Sequence, residues 1–331
     1  MKTASKLLIL LLAALLLCSC AAVPGEGTSG NPAPSTQAST EAGETTAPTE
    51  PEATEILYPY DYTSAAFFQI EDCLKFAPKA SLVGIDGNKK PFNILATEDG
   101  YTVAQGAACD GTYGYFLQAN TSAVINGEIT EACRLIKVDL SSWEIVEMSE
   151  PLLVEHGNGL TYNSKTHKLV AAHCSPNPRQ LSIINADTLQ VEQVVELKRN
   201  VQSIAYNAKR DQYVVRMSGR WNFAILDADF QEISYHETGI ETPLGSQNSF
   251  CDDDYIYMLD SGVVDMPGME CFTVYDWDGN YQGVYRVSSV QETEAIFLYN
   301  GEYYITFYNG SGTRVYKMEF DKTLLGNYRP Y

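Results

Sequence analysis

From residue 101 onward, short runs rich in Val, Ile, Tyr and Phe alternate with clusters of Asp, Asn, Gly and Ser. Runs of this kind read as buried or half-buried β-strands, and the clusters between them as tight turns. The pattern is also periodic, which says more about the fold than any single strand does. Five segments share one order of residues: Gln105 to Asp110, Asn158 to Asn163, Gln202 to Asn207, Gln247 to Asp252 and, more loosely, Glu294 to Tyr299. Each is followed by a turn and a second strand, as in Tyr113 to Leu117, Lys168 to Ala172, Tyr213 to Val215, Tyr255 to Leu259 and Tyr303 to Phe307.

The turn residues Asp110, Asn163, Asn207, Asp252 and Asn300 recur roughly every 45 to 53 residues, the length of a four-stranded unit. Third strands fill the remaining length, at Leu135 to Val138, Leu181 to Ile184, Phe223 to Leu226, Phe272 to Tyr275 and Val315 to Met318. Four strands per unit in an all-β chain predict a β-propeller, which closes on itself and so leaves few exposed sheet edges. Residues 56–100 are about one unit long. Ser81 to Ile85 and Phe92 to Leu95 read as two outer strands of a further, degenerate blade, with Phe67 to Ile70 as its inner strand. Six blades with a degenerate first are therefore expected, and five blades with an extra N-terminal hairpin are the alternative.

The second and third units, including Leu181 to Leu189 and Val194 to Leu197, resemble the YVTN-type repeats of bacterial surface and periplasmic propellers. The Tyr-Val-Thr-Asn tetrapeptide itself is absent. The resemblance implies a fold and no particular activity.

The first 55 residues have a different character. Lys2 and Lys6 precede an apolar run from Leu7 to Leu17, too short to span a membrane comfortably and typical of an export signal. The sequence Leu17-Cys18-Ser19-Cys20 resembles the lipobox of bacterial lipoproteins. The resemblance implies that residues 1–19 are removed, that Cys20 carries lipid, and that the chain is held on the extracytoplasmic face of the cell membrane. Residues 20–55 then read as a tether: from Val23 to Glu55 the chain is almost wholly Pro, Gly, Ser, Thr, Ala and Glu, with no Lys, Arg or aromatic residue. Its root-mean-square reach is about 30 Å. The folded domain is expected over 56–331.

The formal charge of −20 makes nucleic acids and anionic lipid surfaces poor partners, because their affinity comes largely from Lys and Arg. Neutral ligands, cations and basic partners remain open. The expected partner is an envelope glycan, peptide or protein, and the chain is expected to be a monomer. Six cysteines follow Cys20, at positions 73, 109, 133, 174, 251 and 271. No pair has zinc-ligand spacing. The repeat register separates Cys109 from Cys133, and Cys251 from Cys271, beyond disulfide reach, so most read as small buried hydrophobes.

One position is chemically distinctive. Just before the innermost strand stand Gln105, Asn158, Gln202 and Gln247, with Glu294 at that place in the fifth unit and His156 nearby. Inner strands line a propeller's channel, so the register predicts a ring of amides at one mouth. Amides donate and accept, which suits a neutral polar ligand. With a carboxylate they also suit a divalent cation such as calcium, although nothing in the sequence requires a cofactor. Polar groups at strand ends equally serve to face channel water.

Other features are plainer. Asp252-Asp253-Asp254 lacks calcium-loop spacing and reads as a solvated turn. Trp143, Trp221 and Trp277 fall in or beside third strands, where they would pack between blades. His156, His167, His173 and His236 have no ligand spacing, and no nucleophile motif is present. A binding or interaction module is the expected function. The alternative is a metal-dependent hydrolase of lactonase type, with Glu294 and Asn158 at a channel metal.

Overall fold

In the computed structural model of the chain, four of the repeats open on a hairpin whose closing Asp or Asn side chain builds the turn. Asp110 Oδ1 accepts from the backbone N–H of Thr112 and Tyr113, both at 2.7 Å. Asn163 does the same for Lys165 and Thr166, and Asp252 for Asp254 and Tyr255. The outer hairpins repeat the device at Asn185, Asp227 and Asp276. Short acidic and amide side chains mimic a backbone turn in this way, which is why the turn clusters in the sequence were so regular.

The structure describes Leu74 and residues 77–87, 90–217, 221–238, 244–262 and 268–326. Cys20, the tether, Cys73 and the segment Phe67 to Ile70 lie outside the described residues. Three sheets consist of four consecutive antiparallel strands. They are β3 (Ala104–Cys109) to β6 (Glu144–Met148), β7 (Gly159–Asn163) to β10 (Val191–Glu196), and β11 (Ser203–Asn207) to β14 (Glu232–His236). A fourth set runs from β15 (Gly245–Cys251) to β18 (Tyr281–Val287). The last comprises β19 (Glu292–Tyr299), β20 (Glu302–Tyr308) and β21 (Gly312–Glu319). Strands β3, β7, β11, β15 and β19 pack side by side in that order, and β19 returns to β3. The chain is an all-β propeller built of four-stranded sheets around this ring.

The last sheet takes its fourth strand from the other end of the domain. β1 (Lys79–Val83) pairs antiparallel with Lys317, Met318 and Glu319, and β2 (Phe92–Leu95) continues along Gly312 to Val315. These two segments, expected as the two outer strands of a separate blade, together form one interrupted strand on the free edge of β21. The reason is local. After β21 the chain enters a 3-10 turn at Lys322–Leu324, and the described residues beyond it supply no further strand, so the edge of β21 is taken up by the N-terminal segment. β1 also pairs in parallel with β18 at Lys79 and Ala80, linking the fourth and fifth sheets.

Cores form between neighbouring sheets. At the seam between first and last, Phe116 meets Phe297 edge-on at 5.7 Å, and Trp143 packs against both Phe92 and Tyr304 at 5.4 Å. Trp221 is also packing, but its indole donates to Asp260 at 3.0 Å within a fully buried pair of Asp260 and Arg216. The cysteines at 109, 133, 251 and 271 are free thiols. Inner strands approach closely where residues are small: a Cβ on Gly106 would lie 2.7 Å from Leu160 N, and one on Gly159 would lie 2.8 Å from Ile204 N.

Two stability measurements follow. Gly159→Ala should cost about 1–3 kcal/mol in urea unfolding, because the added methyl meets backbone that cannot rotate away. Arg216→Met should cost about 3–5 kcal/mol, because it strands the Asp260 carboxylate among apolar neighbours.

Candidate functional site at the inner-strand starts

Bulges set the polar positions at this mouth. The ladder slips between Ala104 and Gly106 in β3, between Ser246 and Ser249 in β15, and between Thr293 and Ile296 in β19. Gln105, Gln247 with Asn248, and Glu294 are therefore the extra residues at these slips, and a bulge re-aims the side chain it carries. Asn158 and Gln202 immediately precede β7 and β11. The five side chains anticipated from the repeat register thus occupy equivalent places, all of them buried.

Their roles diverge. Gln202 Nε2 donates to the carbonyl of Ser246 at 3.0 Å, and its Oε1 accepts from the Cys174 thiol at 3.4 Å. Gln247 Nε2 donates to Glu292 Oε1 at 2.9 Å. These two amides tie one blade to the next. Asn158 Nδ2 and both carboxyl oxygens of Glu294 have no hydrogen-bond partner among the described residues, and neither does either side-chain polar atom of Asn248. A buried polar group left in this way costs roughly 1–3 kcal/mol. Asn248 was missed in the sequence because it lies one residue beyond the repeated position, and only the wide bulge in β15 brings it into the set.

Burial also controls the carboxyls. It pushes Glu294 far above the usual carboxylate range, with the charges of Glu292 and Glu270 adding to the effect. Glu292 is raised by burial as well, against the opposing influence of His156 and the Gln247 bond. Glu270 is pushed up to about 7 by burial, although Thr293, Ser261 and Gly262 all donate to it. His156 is held by Glu131, with Nδ1 to Oε1 at 2.5 Å. Glu131 belongs to a long hairpin, β4 (Tyr113–Ile125) with β5 (Glu128–Asp139), whose pairing extends past the mouth to an Asn126-Gly127 turn. The turn was present in the sequence; the overhang was not, because strand length has no fixed marker. No group of three or more His, Cys, Asp or Glu side chains suited to a metal occurs among the described residues.

Asp252 lies at the opposite end of its strand. The expectation of a solvated turn holds for Asp253 and Asp254, which are exposed, but Asp252 is half-buried and accepts from Tyr257, Tyr303 and Lys322.

The fold and this site define an all-β propeller with a polar, partly unsatisfied mouth. The crystal structure of Myxococcus xanthus glutaminyl cyclase is similar in fold, with a TM-score of 0.50 and 14% identity over 73% of this chain and 96% of that one. Hydrazine synthase of Kuenenia stuttgartiensis aligns at a TM-score of 0.40 and 11% identity, over 64% of this chain and 57% of that one. No protein-family model matches the chain, and no curated protein does.

The raised carboxyls give a pH signature. The folded protein keeps protons on Glu294, Glu292 and Glu270 that the unfolded chain has already released. Their contribution is complete below the ordinary glutamate value of 4.5 and is lost as pH rises through about 7 for Glu270. The urea midpoint should therefore fall between pH 5 and pH 8, and Glu294→Gln should lessen that fall. An unchanged slope in the variant would show that Glu294 ionises normally.

Proposed function

We propose that this protein is an extracytoplasmic, lipid-anchored propeller that binds a neutral polar ligand, a glycan or peptide segment, at the mouth formed by the inner-strand starts. The observation that carries the proposal is the set of buried, unpartnered groups on Asn158, Asn248 and Glu294. With Glu294 protonated, the set offers donors and acceptors and no net charge, and it favours hydroxyl or amide groups over ions. The ties through Gln202 and Gln247 hold together the blades that carry Asn248 and Glu294, so those two groups are oriented before a ligand arrives.

Asn158→Ala should weaken binding on glycan or peptide arrays about tenfold, the worth of one buried hydrogen bond. Equal binding by variant and parent would remove the mouth from consideration. Anchoring is tested separately: Cys20→Ser should move the protein from the membrane fraction to the soluble one and abolish incorporation of labelled fatty acid.

A second reading is acid–base catalysis. A carboxyl raised well above the ordinary value by burial is suited to act as a general acid, and Glu292, two residues along the same strand, is the nearest carboxylate in sequence that could take a proton. Likeness of fold to a glutaminyl cyclase is compatible with this reading and does not select it. The metal-dependent hydrolase is the form of this reading with Glu294 as a ligand. A calcium-dependent rise in melting temperature that Glu294→Ala removes would favour it over the binding module.

A further inference from the structure

The channel has a second mouth, at the far ends of the inner strands, and it opens into a cavity of about 580 Å³. Tyr162, Tyr206, Asp252, Asp253, Tyr303 and Lys322 are among its walls. One part of that wall is already a cation receptor. The Lys322 ammonium lies 2.6 Å from Asp252 Oδ2, and 5.1 Å from the ring centroid of Tyr303. It stands 5.8 Å from the rings of Tyr255 and Tyr257. Aromatic faces and a carboxylate grouped in this way attract an ammonium ion through the ring quadrupoles and direct charge pairing.

The receptor does not depend on Lys322 for its shape. Asp252 Oδ2 also accepts from Tyr257 at 2.7 Å and Tyr303 at 2.6 Å, while Oδ1 accepts from the backbone N–H of Asp254 and Tyr255. Four donors hold the carboxylate in place when the ammonium leaves. Burial alone would raise the Asp252 pKa, yet the Lys322, Tyr303 and Tyr257 donors bring it below the ordinary value, so the group is charged. The lysine, by contrast, comes from a short 3-10 turn near the chain's end that buries none of its own residues. That turn is pinned by Tyr285 OH to Asp321 O at 2.6 Å and by Gly326 N to Gln282 O at 3.0 Å. Asp253 and Asp254 stand exposed at the rim, and the chain as a whole carries −20. The field at this mouth therefore draws cations.

We propose that the second mouth is a binding site for organic cations, primary or quaternary ammonium groups, and that Lys322 is its resident intramolecular competitor. An incoming ammonium replaces that of Lys322 against Asp252 and the three tyrosine rings, and the lysine swings into solvent on its four-carbon stem. The site is independent of the amide-bearing mouth and of any ligand bound there.

The test is an NMR titration of the full chain carrying ring-labelled tyrosine, with tetramethylammonium and n-butylammonium chlorides as probes and tert-butanol as a neutral probe of similar bulk. Lys322→Ala and Lys322→Gln, each checked for folding by circular dichroism, should bind the ammonium probes at least about tenfold more tightly than the parent, because a tethered competitor acts at high effective concentration. The shifts should fall on Tyr255, Tyr257 and Tyr303. Folded variants that gain no affinity, or a gain that tert-butanol matches, would overturn the proposal. So would loss of folding in both variants, which would make Lys322 a structural clasp.

Discussion

The edge of β21 is where this propeller closes. Ser81, Leu82 and Val83 take up one part of it and Phe92 to Leu95 the other, so residues more than 200 positions apart in the chain become neighbours in one sheet. Long-range pairing of this kind carries a loop-closure cost that grows only slowly with length, while the ladder and the seam core it brings together involve many residues. Ala104 N donating to Thr313 Oγ1 at 2.7 Å, and Phe116 against Phe297, are contacts available only once that edge is filled. Without closure the first and last sheets would each present an open face, and neither channel mouth would exist as a ring.

Closure then dictates the chemistry inside. Five inner strands are in cyclic contact, and Gly106 and Gly159 keep side chains out of two close approaches between them. Polar groups at the strand starts are carried inward by the bulges of β3, β15 and β19, away from solvent. Some find partners on the next blade, as Gln202 and Gln247 do. Others, Asn158, Asn248 and Glu294, do not. The two mouths consequently differ in electrostatics despite the acidity of the whole chain. At the strand starts burial raises the carboxyls, whereas at the strand ends the donors to Asp252 hold it below the ordinary value.

Three carboxyls shift in the same direction in different surroundings. Glu294 has no donor to its carboxyl among the described residues, and burial raises it far above the ordinary value. Glu270, two strands away, has four donors and is still raised by burial. Asp260 pairs with Arg216 and Trp221 in a fully buried knot, and its carboxyl is nevertheless raised, chiefly by loss of solvent. In each case the number of donors and the depth of burial decide the outcome together.

How much of this was legible in the chain differs from feature to feature. Strand and turn identities were, because the turns are built by single residues such as Asp110, Asn163 and Asp276 from their own neighbours, and local chemistry leaves a local mark. So was the register that places Gln105, Asn158, Gln202, Gln247 and Glu294 at equivalent inner-strand starts, since in the first four units the same interval separates this position from the turn residue, as from Gln105 to Asp110 and from Gln247 to Asp252. Tertiary structure alone decided that residues 79–95 complete the sheet of β21, that Asn248 joins the buried polar set, and that Lys322 reaches Asp252 across seventy positions. Those outcomes depend on bulges, on overhanging strands and on which sheet edge lies free at closure. They are properties of elements meeting in space, and no stretch of sequence contains both partners.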